Sequence, residues 1–85
     1  MQPTLCDPHL ARRAIHAYHR ACSRVFAVFQ QPTAPDCWKR RDGTQYIVLS
    51  NTRGLLAVYR LRPDGVRLVE VEVQDVPASI RRVYC

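Results

Sequence analysis

Two periods divide the chain. From His9 to Gln30 apolar residues recur every three or four positions with no Gly or Pro between them, which predicts an amphipathic helix over 8–30, about six turns. Leu10, Ala14, Ala17, Ala21, Val25 and Val28 form one stripe, and Ala11, Ile15, Tyr18, Cys22, Phe26 and Phe29 the stripe beside it. The small residues near its middle permit close approach to a sheet, while Tyr18, Phe26 and Phe29 supply bulk. Asp7-Pro8 reads as the start: Asp as N-cap, Pro in the first turn where its missing donor is harmless.

From Gln45 the period becomes two. Strands are expected over 45–50, 55–62 and 66–73. A three-residue loop, Pro63-Asp64-Gly65, would pair Arg62 with Val66, and so Tyr59 with Val69, Ala57 with Val71 and Leu55 with Val73. The turn at Asn51–Gly54 pairs Asn51 with Leu55, Leu49 with Ala57 and Ile47 with Tyr59. Both registers turn Ile47, Leu49, Leu55, Ala57, Tyr59, Leu61, Val69, Val71 and Val73 to one face, the natural partner of the helix. Residues 1–6 read as a lead and 31–44 as a loop, broken by Pro32 and Pro35 and closed by Asp42-Gly43. The segment 74–85 can form one or two helical turns capped by Asp75. The expected fold is one α+β domain over 1–85: a long N-terminal amphipathic helix on a three-stranded antiparallel meander, with a short C-terminal helical turn.

The other sheet face would carry Tyr46, Val48, Leu56, Val58 and Leu68 among Arg60, Arg62, Glu70 and Glu72. Its apolar centre asks for a cover, either the C-terminal segment or a partner. A chain of 85 residues has a small core and often supplements it by dimerising. These five residues are therefore the expected homo-oligomer interface of a non-enzymatic binding or regulatory module.

The net charge is +6, from twelve Arg and one Lys against seven acids. Arginine forks suit phosphates and carboxylates, so nucleic acid or an acidic protein is a candidate partner. Arg12, Arg13, Arg20 and Arg24, with His16 and His19, lie on the polar side of the helix with no acid between His9 and Gln30. Trp38-Lys39-Arg40-Arg41 adds an aromatic and three cations, so these eight Arg, Lys and Trp residues form the expected nucleic-acid surface. No RNP or helix-turn-helix pattern accompanies them.

His16, His19 and Cys22 follow H-x2-H-x2-C, but the spacing spreads them around the helix, and no metal or cofactor is expected. No catalytic residue is assigned: no nucleophile has a positioned base, and neither a P-loop nor G-x-S-x-G occurs. Cys6, Cys22, Cys37 and Cys85 contain no C-x-x-C pair. Without an apolar leader or an apolar run of membrane-spanning length, a chain starting at Met1 is expected to be cytoplasmic, with free thiols and no membrane partner.

Leu55-Leu56-Ala57-Val58-Tyr59-Arg60, Asp64-Gly65 and Ile80-Arg81-Arg82-Val83-Tyr84 together resemble the C-terminal sheet of bacterial RelE/ParE-type toxins. The resemblance implies an RNA-cleaving toxin with Arg60, Arg81, Arg82 and Tyr84 at its site. That family has a helical hairpin ahead of the sheet, whereas here 31–44 is broken by prolines.

Overall fold

A computed structural model describes residues 3–65 and 67–84 of the chain. The first helix, α1 (Pro8–Arg24), begins as its capping residues dictate: the Asp7 carboxylate accepts the His9 N–H at 2.8 Å and Pro8 opens the first turn. Ala14, Tyr18 and Cys22, spaced four apart, are its buried row.

The helix ends six residues before the expected 30. Val25 is its C-cap, and Phe26 takes the left-handed conformation at φ 54°. Ala27 N–H donates to the Cys22 carbonyl at 2.9 Å and Phe26 N–H to that of Ser23 at 3.4 Å, the paired bonds of a Schellman turn. Glycine usually fills that position, so the stop lacks its strongest sequence signal and keeps only the basic Arg24 in the last turn. Val25, Phe26 and Val28, expected in the core stripes, are exposed; Phe29 alone folds back, its ring 5.3 Å from Tyr18 and 5.1 Å from His19.

Among the described residues the sheet has five antiparallel strands, not three. They are β1 (Pro3–Leu5), β2 (Asp36–Lys39), β3 (Gln45–Asn51), β4 (Gly54–Leu61) and β5 (Leu68–Glu70), neighbours in that order. The two extra strands come from the expected lead and loop. In β2, Cys37 stands opposite Ile47 and Trp38 opposite Tyr46, so the strand buries successive residues on both faces of the sheet. A two-sided strand shows no polar alternation, and a four-residue one that starts after Pro35 and ends on the first of three cations is indistinguishable from loop.

The β3–β4 ladder pairs Ile47 with Tyr59 and Leu49 with Ala57 as the turn predicts. A bulge after Leu49 then pairs Ser50 with Leu55 and Asn51 with Gly54. Leu56 therefore packs on the α1 side and Leu55 on the other. The β4–β5 register is also one residue off the expected one. Arg62 N–H donates to the Arg67 carbonyl, and Gly65 N–H, at φ 74°, donates to the Arg62 carbonyl. Asp64 accepts the Arg67 N–H at 3.2 Å and secures this longer loop. Tyr59 consequently faces Glu70, Arg60 faces Val69 and Leu61 faces Leu68. One residue of slip exchanges faces: Leu68 joins the cluster under α1, Val71 the opposite one, and Val69 and Val73 are exposed. The expected start of the last strand, Val66, lies outside the described residues.

The chain closes with a 3-10 turn (Val73–Asp75) and α2 (Ala78–Tyr84). The sheet thus has a cluster on each side. Ala14, Tyr18, Cys22, Ile47, Leu49, Ala57 and Tyr59 lie under α1, and Trp38, Tyr46, Val48, Val58, Val76 and Ile80 under α2. Of the two possible covers for the second face, the C-terminal segment fills the place. Burial of Val76 and Ile80 there contributes about 1.5–3 kcal/mol each. No described helix is long and apolar enough to cross a membrane.

Candidate polyanion-binding face

On α1 the residues Arg13, His16, Arg20 and Arg24 recur at spacings of three, four and four, which places them in one row. The row runs about 16 Å at 1.5 Å per residue. Arg12 and His19 flank it and are exposed, as are His16, Arg20 and Arg24. The sheet completes this face with a residue that the sequence does not single out. Because the β4–β5 loop is one residue longer than expected, Arg67 leaves it alongside the helix. Arg13, His16, Ala17 and Arg20 then line one open groove of about 340 Å³ with Arg67 and Leu68. Among the described residues no carboxylate lines it. The nearest acid in the ladder is Glu70, opposite Tyr59.

The same β4–β5 hairpin walls a second groove of about 600 Å³, where Arg60 and Arg62 face Thr44 and Gln45. Its far wall is the β2–β3 turn, closed by Arg40 N–H on the Thr44 carbonyl at 2.8 Å. The Asp42 carboxylate accepts the Thr44 N–H at 2.9 Å, and that hydrogen bond holds it below the usual carboxylate range. Arg40 and Arg41 are exposed in this turn and Lys39 at the end of β2. Arginines from three segments therefore border the hairpin, and Arg60 also lines a further groove with the acids Glu70, Glu72 and Asp75.

Trp38 does not belong to the basic surface. It is 2% exposed beneath α2, its indole N–H donates to the Tyr84 hydroxyl at 2.9 Å, and that hydroxyl lies 2.6 Å from Asp36. Burial, then the Asp36 hydrogen bond, raise the Tyr84 phenol to about 12. The hydroxyl that the toxin resemblance would place on RNA is thus committed to a latch between α2 and β2. Arg81 and Arg82 are exposed on α2 and Arg60 on β4, and the segment ahead of β3 contains β2 rather than the second helix of a hairpin.

The five expected interface residues form no exposed patch. Tyr46, Val48 and Val58 are buried beneath α2, while Leu56 and Leu68 are half-buried against the cluster on the opposite side. Its centre, Tyr46, Val48 and Val58, is covered by Val76 and Ile80 of the same chain.

Cys22 is buried whereas His16 and His19 are exposed, so these three side chains do not meet. Cys6, Cys22 and Cys37 are free thiols, and Cys85 lies outside the described residues. Burial, with Cys37 beside it, pushes the Cys6 thiol up to about 12; burial also raises Cys37. Neither is a ready nucleophile near neutral pH. The buried Tyr59 hydroxyl has no hydrogen-bond partner among the described residues, and desolvation pushes it up to about 12.

No family model matches this chain, and no curated protein or solved structure is significantly similar to it.

Proposed function

We propose that this chain is a binding module for the phosphate backbone of nucleic acid, held along the α1 row and the groove it shares with β5. The observation that carries this reading is the meeting of Arg67 with Arg13, His16 and Arg20 in one groove, with no acid among its described lining residues. Arginine guanidinium groups bind phosphate oxygens in forked pairs, and cations in a row track a backbone more effectively than the same charges scattered. The net charge of +6 adds a favourable long-range field.

Fluorescence anisotropy with labelled oligonucleotides tests it. The double variant Arg20→Ala/Arg67→Ala is expected to lose about five- to tenfold in affinity per arginine at moderate salt, largely independent of base sequence. Arg81→Ala/Arg82→Ala, on the helix covering the other sheet face, is expected to bind as the parent does. Equal losses in both double variants would defeat the assignment of the site to α1.

A further inference from the structure

Resting on that reading, we infer that Phe26 is a stacking platform for an unpaired base, which makes single-stranded nucleic acid the preferred ligand of the basic row. Phe26 is 96% exposed, and its backbone sits at φ 54°. An L-residue other than Asn or Gly rarely accepts that conformation, and here no burial of the ring compensates for it. The Schellman bonds from Phe26 and Ala27 to Ser23 and Cys22 hold the turn, so the ring projects from a fixed backbone.

Its position gives the ring a use. The row Arg13, His16, Arg20, Arg24 ends one residue short of the C-cap, and Phe26 follows that cap directly. No acid occurs from Pro8 to Pro35. Phe26 lies two residues beyond Arg24, the last cation of the row, so a strand leaving the row at the end of α1 passes within a short span of an exposed aromatic. Cations that track phosphates beside an exposed aromatic are the two parts of a sequence-tolerant single-strand site. In a duplex the bases are already stacked on one another and offer the ring no free face. Trp38, the aromatic that the sequence places next to cations, is buried, so Phe26 takes the role expected of it.

The test compares a single-stranded homopolymer oligonucleotide with a duplex of equal length, for the parent, Phe26→Ala and Phe26→Trp. Phe26→Ala is expected to weaken single-strand binding by about 5- to 100-fold and leave duplex binding and its salt dependence unchanged. Phe26→Trp is expected to retain single-strand affinity, and its added indole emission should be quenched on binding. Thermal unfolding of both variants within a few degrees of the parent is the expected control. Equal single-strand affinity for the parent and Phe26→Ala overturns the stacking role while leaving phosphate binding intact. So does an equal loss on both ligands. Absence of binding to either ligand by the parent overturns the phosphate reading itself.

Discussion

Two tyrosines show how the same residue type is used in opposite ways. Tyr84 shares its hydroxyl between Trp38 and Asp36, so Tyr84→Phe is expected to cost about 1–3 kcal/mol by leaving both partners short of a bond. Tyr59 has a buried hydroxyl without a partner, so Tyr59→Phe is expected to be neutral or to stabilise by up to about 1 kcal/mol. Thermal melts separate the two, since 1 kcal/mol moves Tm by about 4–8 °C in a domain of this size. Both phenols are raised from 10.0 to about 12 in the fold. The folded state thus favours the protonated phenol: this stability is present in full below pH 10, where the unfolded chain also holds the proton. It is lost as pH rises through 10 to 12. Unfolding by denaturant at a series of pH values should show that decline, and the Tyr84→Phe/Tyr59→Phe double variant should show less of it. The raised Cys6 and Cys37 thiols are expected to alkylate slowly at pH 8 until denaturant exposes them.

The helix cap and the C-terminal cover are the elements whose behaviour is most informative. Phe26→Gly removes the left-handed strain without removing buried area, and should stabilise the chain by about 1 kcal/mol, read as a higher Tm. The same change is expected to lower single-strand affinity, so stability and binding move in opposite directions. Ile80→Ala, in the fully buried anchor of α2, should cost about 2–5 kcal/mol and red-shift Trp38 emission as α2 loosens. The start of α1 was legible because Asp7-Pro8 is a local chemical signal; its stop was not, because Phe26 occupies a glycine position. The β3–β4 pairing was legible from Ile47 to Ala57. Beyond Leu49 a bulge, and beyond Leu61 a longer loop, each moved the register by one, and neither is written in the alternation of apolar residues.

Across the molecule, the two helices lie on opposite sides of one sheet, and this arrangement decides which surfaces remain open. An apolar second face suggested a partner, but that face belongs to Val76, Ile80 and Tyr84 of the same chain. The basic helix row was visible in the sequence from Arg13 to Arg24, because its spacing is a property of one element. Its completion by Arg67 was not, because a contact across some fifty residues depends on loop length rather than on local pattern. Trp38 was misplaced for the same reason: its neighbours in sequence are cations, while its neighbours in space are Tyr46, Ile80 and Tyr84.

Affinity for a short oligonucleotide, measured by anisotropy from 50 to 200 mM salt, bears on phosphate binding along α1 without further assumptions. Four arginines engaged with phosphates predict a slope of log affinity on log salt of about −3 to −3.5, a loss of roughly a hundredfold over that range. Arg20→Ala/Arg67→Ala should reduce the slope by about two. An affinity that stays flat as salt rises, or a slope unaltered in that variant, would contradict the account.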